Sequence, residues 1–431
     1  MKLALIGGGG VRTPLLVNGL THADLPIEEI ALFDEDRDRL ATIGGLAGRM
    51  AGDARVRLCE TSADCISGAD FVFTSIRVGG IARRARDEAA ALRHGIVGQE
   101  TIGPTGFAMA LRTIPPMVAY AKEVRRLAPG AWIINFTNPV GMITEAVRTV
   151  TDRVIGICDT PMELYEEVAH ALGLPSAECR FDYFGLNHLG WIREVFHRGE
   201  PQLHRLWSDP DRLRQVYRAP LFDPAFLSEL QLLPTEYVYY YYRAQDAYEH
   251  LRRAGQSRGR VIEDLNHRLF RDLGAAHADA AAVYEQYLAT RNAGYMQLES
   301  GGQPAAAVSP WAALTGYDKI ALAVVRAVYF NANTLIPLSV ANGGNIPALD
   351  AADVVEVPCV VNGNGAHPAH VGTVPDRVRP LLEQVKAYER MTVRAAMSRS
   401  VGLAREALAL NPLVRDPALL DPLLADLSPL W

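Results

Sequence analysis

Residues 3–20 read LALIGGGGVRTPLLVNGL, and no other stretch constrains the fold so tightly. A short apolar run, LALI (3–6), breaks at Gly7-Gly8-Gly9-Gly10, and a helix-forming stretch (13–20) follows. Glycines at a strand-to-helix turn let the backbone approach a pyrophosphate closely. The helix start then offers free N–H groups and the positive end of its dipole. Gly7, Gly9 and Gly10 are therefore candidate cofactor-binding residues. The G-x-G-x-x-G pattern is only partly met, because Arg12 stands in its third place. Glycine-rich first turns also serve tight packing, so support has to come from elsewhere. Asp34 supplies it, at the end of the next apolar run and 25 residues after Gly9. An acidic residue there accepts from ribose hydroxyls and favours NAD over NADP, while Arg37 and Arg39 pull the other way. The plain alternative is a surface aspartate capping the next helix.

The same alternation continues to about residue 180. IALF (30–33), FVFTS (71–75), WIINF (132–136) and VIGIC (154–158) suit strands buried on both faces. Helix-forming stretches lie between the runs, at 36–51, 107–127, 139–150 and 161–172. This implies an α/β fold, a Rossmann-like doubly wound parallel sheet over residues 1–180. Beyond it, residues 181–197 read as strands with no following helix. Helices are expected over 235–290, 312–332 and 378–410, and a strand and turn over 354–368. Residues 181–431 are thus expected to form a closely packed α+β lobe for substrate, metal and oligomerisation.

At 431 residues the chain is too long for one ordinary core. The net charge of −6 and the lack of a long basic block argue against a nucleic-acid partner. No apolar run reaches membrane-span length, and the N-terminal run is too short for a signal peptide. The cysteines Cys59, Cys65, Cys158, Cys179 and Cys359 are scattered and odd in number. That points to reduced thiols in a cytoplasmic protein.

Such sheets bind ligands at the carboxyl ends of their strands. SIRVGG (75–80) places Arg77 there, NFTNPVG (135–141) places Asn138, and GICDTP (156–161) places Cys158. GLNHLGW (185–191), with Asn187 and His188, follows soon after. A thiolate and a neutral imidazole suit a divalent transition metal, and two protein ligands would leave positions open for substrate oxygens. Cys158 also reads as a small buried hydrophobe, and His188 as a hydrogen-bonded structural residue.

The ordered set of motifs resembles the NAD-dependent glycosidases of glycoside hydrolase family four, and most of all their 6-phospho-β-glucosidases. The block VGGIARRARDEAAALRHGIVGQETIGPTGFAMALRTIPP (78–116), LPTEYVYYYY (233–242) and EVPCVVNGNG (356–365) complete a match over nearly the whole chain. The resemblance implies oxidation at sugar C3 by NAD, deprotonation at C2, elimination of the aglycone, water addition and re-reduction. It implies Cys158 and His188 as ligands of a divalent metal, usually Mn²⁺, and Tyr237 as the base. The tyrosine run and Asp246 leave other choices for that base. It places Arg84 and Arg258 at the 6-phosphate, Asn138 and Asn187 at the substrate, and Glu100 near nicotinamide and sugar. Arg77 joins the cofactor set. The substrate is then a small phosphoglycoside, and a homodimer or homotetramer is expected. Asp159 departs from the asparagine that β-acting relatives carry after the ligand cysteine, which adds negative charge beside metal and phosphosugar. A rival reading is an NAD-dependent 2-hydroxy-acid dehydrogenase, and a second is a non-catalytic NAD-binding sensor.

Overall fold

The computed structural model describes residues 1–21, 23–217, 219–275, 279–302 and 316–431. Parallel strands β1 (Lys2–Ile6), β2 (Glu29–Phe33), β3 (Arg55–Leu58), β4 (Phe71–Thr74), β5 (Trp132–Asn135) and β6 (Val154–Gly156) lie in the order β3-β2-β1-β4-β5-β6. This is the doubly wound dinucleotide-binding order, and the chain reverses direction across the sheet between β1 and β4. Strands β1, β2, β4, β5 and β6 are legible in the sequence because nearly every residue in them is buried. β3 is not, because RVRL sits half-exposed at the edge and alternates charge with apolar residues. The helix Gly80–Arg93 also gives no clear sequence signal, its arginines and alanines offering little apolar contrast. The helix expected from 107 starts at Gly103.

The hairpin β7 (Cys179–Leu186) and β8 (Leu189–His197) opens the second half, with β9 (Glu200–Pro201) and β10 (Leu233–Pro234) beside it in a small antiparallel sheet. The doubly wound sheet does not stop at residue 180. Strands β11 (Thr334–Ala341), β12 (Val354–Asn362) and β13 (Gly365–Pro368) extend it antiparallel beyond β6, joined by Ser339 against Gly156. Both halves therefore share one sheet and one main core. The expected helices appear as Ala244–Ala254, Arg258–Ala275, Ala280–Ala293, Gly316–Tyr329, Arg379–Ser398 and Val401–Leu410; residues 312–315 of one expected span lie outside the described set. Among the described residues no helix is long and apolar enough to cross a membrane.

A smaller core fixes the glycine turn. Ile262, Leu265, Leu269, Tyr284 and Leu288 from the second half pack on Leu15 and Leu46. Tyr284 donates a hydrogen bond to the Val11 carbonyl at 2.6 Å, so the second half grips the turn directly. Gly7 has φ 95°, and a Cβ there would lie 2.3 Å from the Ser75 carbonyl oxygen. Gly7→Ala is expected to cost about 1–3 kcal/mol through backbone strain and overlap. Gly45, in the helix Arg37–Met50, would meet nothing with an added Cβ. Gly45→Ala is expected to gain about 0.5–1 kcal/mol. Urea midpoints of the two variants check both signs.

Candidate active site

A cavity of about 500 Å³ opens at the carboxyl ends of β1, β4, β5 and β6, where the strand order reverses. On one wall are Gly7, Gly9, Gly10 and Asp34. Asp34 Oδ2 accepts from the Gly9 N–H at 2.9 Å, which sets the carboxylate at the edge of the glycine turn. Burial raises its pKa, against the N–H groups of Asp36 and Gly9 that favour the charged form. A pyrophosphate at the turn would bring its ribose hydroxyls to this carboxylate, so the residues fit a dinucleotide.

Across the cavity, Cys158 follows β6 and His188 sits at the tip of the β7–β8 hairpin, between the paired Leu186 and Leu189. Such a tip asks for a residue tolerating positive φ, and His188 adopts φ 64°. The cost of that backbone is retained for the imidazole it presents. Cys158 Sγ and His188 Nε2 lie 3.6 Å apart, both side chains buried. Two donors at about 2.3 Å (S) and 2.1 Å (N) from one ion, near the tetrahedral angle, stand about 3.5 Å apart. The pair therefore fits a metal ion. Burial holds the His188 pKa down to about 4, so its imidazole is neutral, as a ligand must be. Burial, Glu356 and Asp159 push the Cys158 thiol well up, so its proton leaves only against a cation. Among the described residues no third His, Cys, Asp or Glu completes a cluster, which leaves the site open. Asn138 Oδ1 is buried in the same wall without a protein partner.

The charge that Asp159 adds is met by a residue that the sequence does not mark for the site. Arg12 Nη1 lies 3.3 Å from Asp159 Oδ2, and its guanidinium sits over the Tyr317 ring at 4.9 Å. In the sequence Arg12 is visible only as a break in the glycine pattern. Arg77, Arg84 and Glu100 line the cavity together. Burial pushes the Glu100 carboxyl up, but ion pairs with Arg77 and Arg84 outweigh it and hold it well below the usual carboxylate range. Arg84 also binds Glu88 at 2.7 Å.

Arg258 and Asn187 are not on the cavity wall. Arg258 Nη2 donates to the Arg291 carbonyl at 2.5 Å, and the Arg291 side chain lines the cavity in its place. Asn187 Nδ2 donates to Glu356 Oε2 at 3.2 Å, behind the wall. Nothing in the spacing of Arg291, on the helix Ala280–Ala293, marks it out.

Of the run Tyr237 to Tyr242, only Tyr237 lines the cavity. Its ring stacks on His188 with centroids 3.9 Å apart. Tyr239 and Tyr240 are buried and bond Glu299 and Met296. Asp246 lies at the surface, paired with Arg243 at 2.6 Å. In the protein alone burial, with Glu236 adding to it, raises the Tyr237 phenol well above its ordinary value.

The fold and cavity together define a dinucleotide-binding α/β protein whose glycine turn faces a thiol–imidazole pair. The sequence matches the "Family 4 glycosyl hydrolase" model over residues 2–174 and the "Family 4 glycosyl hydrolase C-terminal domain" model over residues 183–414. The chain belongs to glycosyl hydrolase family 4. It is similar to a protein of Bacillus subtilis (strain 168) named "Probable 6-phospho-beta-glucosidase", with 32% identity covering 96% of this chain and 92% of that one. The phospho-alpha-glucosidase PagL of Clostridium acetobutylicum is 28% identical, covering 99% and 96%. The structure of a Thermotoga maritima 6-phospho-beta glucosidase with manganese, NAD⁺ and glucose-6-phosphate superposes with a TM-score of 0.82 at 28% identity, covering 99% and 97%.

One half-buried carboxyl, next to Tyr237 in the chain, carries a pH signature. Burial, then Glu163, raises the Glu236 pKa to about 8. The folded chain thus keeps a proton that the unfolded chain loses above its ordinary value of about 4.5. Stability from this group is full at acid pH and falls as pH rises towards about 8. Glu236→Gln is expected to flatten that fall, so the variant gains on the parent between pH 5 and pH 9 in urea melts. An unchanged slope would contradict the assignment.

Proposed function

We propose that this glycoside hydrolase is an NAD- and divalent-metal-dependent 6-phospho-β-glucosidase, with manganese as the ion. The observation that carries the reading is one cavity holding the glycine turn with Asp34, the Cys158–His188 pair and Tyr237. Asp34 takes the ribose hydroxyls, and the turn at Gly7, Gly9 and Gly10 takes the pyrophosphate. Cys158 and His188 hold the ion. When bound, NAD would supply reversible hydride acceptance at the sugar and the ion would supply Lewis acidity. With C3 oxidised, the C2 proton would be acidic, and Tyr237, made a phenolate by the cation bound beside His188, would take it. The aglycone would leave C1 and take a proton from solvent, water would add its hydroxyl at C1, Tyr237 would return a proton to C2, and hydride would return to C3, so the net reaction is hydrolysis. Arg84 and Arg291 are the cavity's cations for the 6-phosphate, since guanidinium meets phosphate through paired N–H groups. Asn138, with its free buried oxygen, takes a sugar hydroxyl.

The β preference rests on Tyr237 facing the cavity while Asp246 faces solvent. Relatives of both anomeric preferences are similar to this chain. A hydroxy-acid dehydrogenase would pair its histidine with an aspartate, whereas His188 Nδ1 meets Thr101 at 2.8 Å. A sensor would have no use for a two-donor pair beside the cofactor turn.

Turnover of 4-nitrophenyl β-glucoside 6-phosphate in D₂O with NAD and Mn²⁺ is expected to give glucose 6-phosphate carrying deuterium at C2. Hydrolysis without label would overturn the mechanism, and exclusive turnover of the α-anomer would overturn the β assignment. Tyr237→Phe is expected to lower kcat roughly 10²–10⁴-fold while NAD affinity, followed by fluorescence quenching, stays within about twofold.

A further inference from the structure

We infer that Thr101, itself held by Gln99, is a positioning residue that fixes His188 as the Nδ1–H tautomer and so aims its Nε2 lone pair at the ion. The inference rests on the reading of Cys158 and His188 as metal ligands.

The chain of contacts points to one tautomer. Gln99 Oε1 lies 2.7 Å from the Thr101 backbone N and 2.9 Å from the Ile102 backbone N. Both are donors, so the amide atom facing them is the oxygen. Thr101 Oγ1 lies 3.1 Å from that same oxygen, which has no proton to give. We assign the hydroxyl's one proton to that contact, as a third donor on the amide oxygen. Thr101 Oγ1 also lies 2.8 Å from His188 Nδ1. With its proton spent on Gln99, it can only accept there, so Nδ1 carries the hydrogen. A neutral ring has one such hydrogen, which leaves Nε2 as the lone-pair nitrogen, facing Cys158 Sγ at 3.6 Å. Gln99, Thr101 and His188 are all buried, at 6%, 7% and 5% exposure, so water does not readily replace a missing member. The helix Gly103–Leu127 starts directly after Gln99 and Thr101. A merely structural role for Thr101 would therefore be to support that helix start.

Thr101→Val removes the acceptor and keeps the shape. The test titrates Mn²⁺ into the NAD-bound enzyme without substrate, by calorimetry. The variant is expected to bind Mn²⁺ about 10–100-fold more weakly, as losses of a ligand's supporting partner do. NAD affinity and the melting temperature stay near the parent's, and Thr101→Ser restores Mn²⁺ affinity. Unchanged Mn²⁺ affinity in Thr101→Val would overturn the proposal. A second measurement does not depend on the variant folding. Long-range ¹H–¹⁵N spectra of ¹⁵N-histidine-labelled metal-free enzyme, assigned with His188→Gln, are expected to show the Nδ1–H tautomer, and the Nε2–H tautomer would refute it. Cys158→Ser and His188→Gln separate the two levels. If both bind Mn²⁺ like the parent, the metal-centre reading itself fails. If both lose it while Thr101→Val does not, only the positioning role fails.

Discussion

The contact between Cys158 and His188 is the constraint around which the rest of the structure is arranged. Its two partners come from different sheets: Cys158 follows the last parallel strand, and His188 turns a hairpin of the second half. Holding them 3.6 Å apart requires the sheets to be locked together, and a buried carboxyl does much of that. Glu356, on β12 of the large sheet, accepts from Tyr183 at 2.7 Å and from Asn187 at 3.2 Å, both on or at the end of β7. Burial raises its pKa to about 7, against the hydrogen bonds that favour its charge. The strands that carry the second half into the first sheet are therefore what place the histidine.

Charge is distributed with the same economy. The cavity wall carries Arg12, Arg39, Arg77, Arg84 and Arg291, and two of its carboxylates are paired with them, Asp159 with Arg12 and Glu100 with Arg77 and Arg84. Pairs of this kind hold the charged side chains in place around the cavity. Five guanidinium groups on one cavity suit ligands that carry phosphate, as a dinucleotide does. Arg12 is instructive here. The residue that spoils the glycine pattern is the one that neutralises the unusual Asp159.

Much of this is legible in the amino-acid sequence. The parallel strands announce themselves as short apolar runs, and the glycine turn with Asp34 marks where a cofactor can lie. Cys158, His188 and Tyr237 stand out by their motifs, and the fold brings them into one wall. What the sequence hides, it hides for physical reasons. β3 is an exposed edge strand with a charged pattern. The continuation of the sheet by β11 to β13 depends on long-range pairing at Ser339 and Gly156, which no local pattern encodes. Arg291 and Thr101 owe their places to tertiary packing, and Arg258 and Asn187 turn away from the wall because the Arg291 carbonyl and Glu356 offer them closer partners.

The central claim is that a single ion sits between the two sheets beside the cofactor turn. Anomalous diffraction at the manganese edge, on crystals grown with Mn²⁺ and NAD, addresses it directly. The expected result is one strong peak bonded to both Cys158 Sγ and His188 Nε2, with open positions facing the cavity. An occupied peak elsewhere, with both side chains free of metal, would contradict it.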